Sequence, residues 1–144
     1  MKRIFYGLTL LISTTSFAAP TPVDEEVSKH FKQTFPTALN VKWYEYETFY
    51  EVFFQSNEIT CRIKYDMKGN IMSTRRDYFE KDLSLFIVAK VKEKYPGKTI
   101  FGVTEITSVE GASYNIVLED EKNWTTITSN DSGDLTLVQK LKKA

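Results

Sequence analysis

The chain is short of the residues that staple small folds or build catalytic centres. Cysteine occurs once in 144 residues, at Cys61, and histidine once, at His30. A lone thiol excludes an internal disulfide, so apolar burial must hold the fold together. In a strand pattern Cys61 reads as a small buried apolar side chain. One histidine with no second histidine or cysteine beside it makes a poor transition-metal site. A Cys61–His30 dyad lacks a recognisable third group to orient it. There is no phosphate-binding glycine loop and no nucleophile elbow. Basic excess is absent too: 19 Lys and Arg stand against 19 Asp and Glu. Nucleic acid therefore finds no electrostatic footing.

Long apolar runs are also missing. The longest, Ile4–Ile12, is too short to span about 30 Å of hydrocarbon. It follows Lys2 and Arg3 and precedes Ser16-Phe17-Ala18. That order predicts an export signal over residues 1–18, cleaved near Ala18. The expected destination is the periplasm or the exterior of a bacterial cell, without membrane insertion after cleavage. The mature chain, Ala19–Ala144, keeps 17 basic residues against 19 acidic ones, a formal charge near −2. Its length of about 126 residues suffices for one compact domain.

What is present is a repeat. Val23, Val27, Phe31, Phe35 and Pro36 recur sixty residues on as Leu83, Ile87, Val91, Tyr95 and Pro96. Tyr50, Val52 and Phe54 recur at an offset of sixty-four as Tyr114, Ile116 and Leu118, and Gly69 and Ile71 as Gly133 and Leu135. An ordered series in constant register points to duplication, with units at 19–80 and 81–144 packed as one domain. The change of offset places four extra residues near Glu110-Gly111-Ala112, in an exposed turn.

Each unit reads as a helix and then four strands. Thr21-Pro22 opens the first helix, Val23, Val27, Phe31 and Phe35 form its apolar stripe, and Pro36 ends it. Strands are expected over 40–46, 49–54, 59–65 and 71–78, with a tight turn at Asp66–Gly69. In the second unit Ser84 is the predicted N-cap of a helix over about 85–95. Strands follow over 100–108, 113–119, 124–129 and 135–141. Asn130–Asp134 resembles the start of a calcium loop but lacks the closing glutamate, so it reads as a hairpin turn. Glu45, Glu47 and Glu51 are expected to solvate strand edges. The fold class is thus α+β, a tandem repeat of helix plus four-stranded antiparallel meander.

The segments Phe31-Lys32-Gln33-Thr34-Phe35-Pro36, Ala38, Asn40-Val41-Lys42-Trp43, Tyr50-Glu51-Val52, Tyr65-Asp66 and Gly69 resemble the PepSY-like, β-lactamase-inhibitor-like family of exported bacterial proteins. Tyr95-Pro96 and Tyr114-Asn115-Ile116 match its second half more loosely, and Leu83-Ser84 stands where that family has Leu-Pro. The resemblance covers nearly all of the mature chain. It implies helices on one face of a curved sheet and a non-enzymatic binding or inhibitory role.

Strand alternation then sorts the faces. Val41, Trp43, Tyr50, Val52 and Phe54 should meet the helices, as should Tyr114, Ile116, Leu118 and Ile127. Tyr44, Tyr46, Phe53, Arg62, Lys64, Val117 and Trp124 should point away, forming a partner-binding surface. The alternative is that these rings only stabilise the sheet as cross-strand pairs. The expected partner is a protein or peptide of the envelope or exterior, with no catalytic residue, no metal and no cofactor; oligomeric state is left open. A small-ligand carrier is the second reading, although the many core rings predict a filled interior. A hydrolase comes last.

Overall fold

The computed structural model describes residues 23–144. The export signal, its cleavage point and Thr21-Pro22 lie outside the described residues. Ten elements of regular structure follow: α1 (Glu25–Thr34), β1 (Leu39–Glu45), β2 (Phe49–Ser56), β3 (Ile59–Asp66), β4 (Ile71–Tyr78), α2 (Leu85–Lys94), β5 (Thr99–Ser108), β6 (Gly111–Glu119), β7 (Asn123–Asn130) and β8 (Leu135–Lys142). A single 3₁₀ turn, Glu80–Asp82, leads from β4 towards α2.

Asp24 starts α1. Its carboxylate accepts the backbone N–H groups of Glu26 (2.8 Å) and Val27 (3.4 Å), two donors that a helix end leaves without partners. Glu25 and Glu26 in the first turn suit the positive end of the helix dipole. The start therefore falls at Asp24, a turn later than the Thr21-Pro22 signal suggests. Ser84 occupies the N-cap of α2 with nearly the same backbone angles, but its side chain makes no capping bond. Both helices close identically. Phe35 and Tyr95 adopt φ −124° with ψ 65° and 64°, and their N–H groups bond Phe31 and Val91 carbonyls.

All eight strands form one antiparallel sheet in the order β1 to β8. The joint is the β4–β5 ladder, in which Ser73 to Tyr78 pair with Ser108 to Val103 in unbroken register. The four extra residues of the second half do not bulge out as a loop. They lengthen the strands: β5 and β6 have ten and nine residues, where β1 and β2 have seven and eight. The Val109-Glu110 link is only two residues long, so added length is taken up as further cross-strand pairs.

Each helix covers its own part of the same sheet face. Val27 and Phe31 of α1 pack with Tyr50, Val52, Phe54, Cys61, Ile63 and Tyr65. Ile87, Val88 and Val91 of α2 pack with Tyr78, Ile100, Val103, Ile116, Leu118 and Ile127. The register carries this face across the sheet, since Ile63 pairs with Thr74, Thr74 with Thr107, and Tyr78 with Val103. Trp43 also faces inward, edge-on to Phe31 at 5.4 Å. Val41, read as inward, is 40% exposed instead. It lies where β1 slips register between Leu39 and Lys42, beside Asn40 at φ 54°, so simple alternation fails there.

The buried residues form two clusters that meet through Ile59, which packs on both. Beneath each helix the interior is filled, as the aromatic content suggests. Between the helices it is not: a recess bordered by Phe35, Phe54, Ile59 and Ile63 remains beside β3 and β4. Two turn glycines bind hairpin to helix. Gly69 (φ 83°) and Gly133 (φ 76°) each sit where a Cβ would come within 3.0 Å of Val27 and 2.9 Å of Phe86, respectively.

Ile63 and Ile127 lie in different clusters, four strands or roughly 19 Å apart. Ile63→Val and Ile127→Val should each cost about 0.5–1.5 kcal/mol. Their effects should add within about 0.5 kcal/mol in urea denaturation, as independent sites do. Strong coupling would show that the two clusters act as one.

Candidate functional site: the sheet face opposite the helices

The register places Tyr44, Phe53, Arg62, Lys64, Val117 and Trp124 on the face away from the helices, and Tyr46 just beyond the end of β1. They do not form one continuous surface. The first five, counting Tyr46 with them, gather on β1–β3, whereas Val117 and Trp124 lie on β6 and β7. Three strand spacings from β3 to β6 separate the nearest members of the two groups by about 14 Å.

The β1–β3 group is a lattice of rings and charges. Tyr46 stacks on Phe49 at 4.4 Å with an interplanar angle of 20°. Tyr44 meets Phe53 edge-on at 5.4 Å. The Arg62 guanidinium lies 4.0 Å over Phe53, and the Lys64 ammonium 4.9 Å from the centre of Phe49. These are cation–π contacts, which hold both charges against the sheet. Between the two rings on β2 sits Glu51, only 5% exposed, with Arg62 at 3.7 Å and Lys64 at 4.0 Å. Glu51 was expected at a solvated edge. Cross-strand pairing with Lys64 instead sinks its carboxylate between two cations, and the flanking phenyl rings exclude water. The signal for it was the period of two: Phe49, Glu51 and Phe53 share a face, and so do Arg62 and Lys64.

The second group is smaller. Phe101 meets Trp124 edge-on at 4.8 Å, and the Lys143 ammonium lies 4.7 Å from the Trp124 ring. Lys143 is also paired with Glu119. Phe101 was not singled out from sequence. β5 slips register between Ile100 and Gly102, so alternation counted from Ile100 points Phe101 outward and counted from Val103 points it inward.

Between the groups runs a groove of about 530 Å³. One rung of the sheet supplies much of its floor, with Thr60, Asp77, Thr104 and Asn115 paired in sequence across β3 to β6. Phe79 and Phe101 border it. Asp77 accepts two hydrogen bonds from the Arg75 guanidinium (2.9 and 3.0 Å) and one from the Thr104 hydroxyl (2.6 Å). Partial burial pushes its carboxyl pKa up, but those bonds and the Arg75 charge outweigh burial and hold it below 3.8.

The remaining sequence candidates lie elsewhere. His30 is exposed on α1, while Cys61 is buried on the helix side of β3, so they make no dyad. Asn130–Asp134 is a hairpin turn: the Asn130 side chain accepts the Asp134 N–H at 3.0 Å, and Gly133 N–H bonds the Asn130 carbonyl at 3.0 Å.

No family model matches this chain, and no curated protein matches it by sequence. Solved structures do match. A BLIP-like protein from Bacteroides fragilis NCTC 9343 aligns with TM-score 0.61 at 14% identity, over 85% of this chain and 87% of that one. A DUF2874 family protein from Bacteroides ovatus ATCC 8483 gives 0.60 at 17% identity, over 85% and 89%. A protein with a proposed periplasmic location from Bacteroides eggerthii DSM 20697 gives 0.60 at 13% identity, over 85% and 90%. At these identities the likeness is one of fold, and it is the β-lactamase-inhibitor-like fold that the sequence resembles. Among the described residues, no helix is long and apolar enough to cross a membrane.

A carboxyl whose pKa is lowered by folding stabilises the fold above its unfolded value and loses that effect as the pH falls through the folded one. Asp77→Asn should therefore flatten the fall in stability below about pH 4, by less than about 1 kcal/mol because the pair is partly solvated. Urea denaturation across that range measures it; an unchanged acid slope would show that the Arg75–Asp77–Thr104 contacts contribute nothing.

Proposed function

We propose that this chain is an exported, non-enzymatic module that docks a protein or peptide of the envelope or exterior on the sheet face opposite its helices. The observation that carries the reading is the β1–β3 lattice. Tyr44 and Tyr46 are 47% and 45% exposed, yet each is fixed by a ring contact and backed by seated cations. Rings used only to stabilise a sheet gain most by being covered. Rings held rigid and half in water suit an anchor, because they bury much area on contact at small entropic cost. The BLIP-like fold neighbour supports a protein partner for this fold in general.

The rest of the proposal rests on sequence and neighbours together. The N-terminal pattern through Ala18 and the neighbour with a proposed periplasmic location support export. The sixty-residue matches and the identical helix closures support descent of residues 19–80 and 81–144 from one unit. A second reading, a small-ligand carrier, is favoured by one feature, the uncovered recess between the helices.

The test is affinity capture from envelope extract with the mature protein and a Tyr44/Tyr46/Trp124 triple alanine variant. The variant should keep its melting temperature within a few degrees and lose the captured partner, with Tyr46→Ala alone weakening it by about 1–2 kcal/mol. Equal capture by both proteins, nothing captured at any salt concentration, or an unfolded variant would each overturn the assignment of these rings to a partner.

A further inference from the structure

The inner face of β3 and β4 holds a feature that a docking role for the outer face leaves unused. Phe35, Phe54, Ile59 and Ile63 wall a recess of about 280 Å³, with Cys61 and Arg76 beside them. It lies beyond the C-terminal end of α1, where neither helix reaches. Apolar walls left facing water are a cost to a fold built only for stability. Its volume falls just below the roughly 300–1,000 Å³ of drug-sized sites, which limits an occupant to a small molecule.

Arg76 sets the chemistry. Glu105 is fully engaged, accepting the Tyr78 hydroxyl (2.6 Å) and Arg76 Nη1 (3.3 Å) at one oxygen and the Thr107 hydroxyl (3.4 Å) at the other. Arg76 is not. A guanidinium has five N–H donors, and this one gives a single hydrogen bond while its side chain stays 39% exposed. Its plane is positioned 5.0 Å over the Tyr78 ring. It also borders the recess, paired directly with Cys61 across the β3–β4 ladder; burial pushes the Cys61 thiol pKa up, and the Arg76 charge draws it partly back.

We infer that this recess binds a small amphipathic carboxylate, its apolar body against Phe35, Phe54, Ile59 and Ile63 and its carboxylate on the free donors of Arg76. Planar guanidinium and carboxylate match in two parallel hydrogen bonds, which an ammonium cannot copy. The site is on the opposite face from the aromatic lattice, so it stands or falls separately from the docking surface.

Cys61 supplies the readout, being the sole thiol of the chain. Its alkylation by neutral iodoacetamide is followed in the folded protein with octanoate, 3-phenylpropionate or 1-octanol present. Either carboxylate should slow alkylation at least about tenfold at saturation, and the better of the two tells a linear from an aromatic ligand. Octanol, without the charge, should protect at least about tenfold more weakly. In Arg76→Gln, compared with and without ligand because the thiol itself shifts, protection should vanish, and Arg76→Lys should restore only part of it. Equal protection by octanol and octanoate, undiminished protection in Arg76→Gln, or no protection of the wild-type chain would each overturn the site. Tyr44→Ala, on the other face, should leave protection unchanged.

Discussion

The pairing of β4 with β5 is the constraint on which the molecule depends. Each helix buries its own stripe on its own strands, and the two apolar clusters touch only through Ile59. Packing alone would leave two small bodies free to tilt. The continuous ladder from Ser73–Ser108 to Tyr78–Val103 turns them into one sheet. Once the register is fixed there, both helices lie on the same side, and the outward residues of β1–β3 point the same way as those of β6 and β7. The groove forms at this joint, much of its floor being a rung that crosses from one half to the other.

Much of this was legible. A hydrophobic period of four followed by periods of two located the helices and strands, because burial on a single face imposes those spacings. The strand read over 71–78 coincides with β4, and the turns at Gly69 and Gly133 fall where the sequence puts them. Alternation sorted Phe53, Arg62 and Trp124 correctly because no register slip lies between each of them and the inward residues beside it. It failed at Val41, and it gave two answers at Phe101, since a bulge resets the phase and leaves little local trace. The start of α1 was misplaced because proline and a run of acids both mark helix starts, and only the Asp24 hydrogen bonds decide between them.

Other features were illegible for a different reason: they are set by distances between elements. Burial of Glu51 needs Arg62 and Lys64 opposite it and a ring on each side, which only the β2–β3 register supplies. The recess beside Arg76 exists because two ten-residue helices are too far apart to cover the middle of an eight-stranded sheet. No periodicity within either half carries that spacing. The two faces consequently offer contrasting chemistry, rings and cations in the open on one, a recess with apolar walls and Arg76 beside it on the other.

Gly69 and Gly133 look like ordinary loop punctuation, yet each is hemmed in twice. The left-handed backbone there strains any side chain, and a Cβ would in addition crowd Val27 at 3.0 Å or Phe86 at 2.9 Å. Two positions at the rim of the molecule are thereby tied by the fold to one residue type, as its innermost positions are tied to apolar ones.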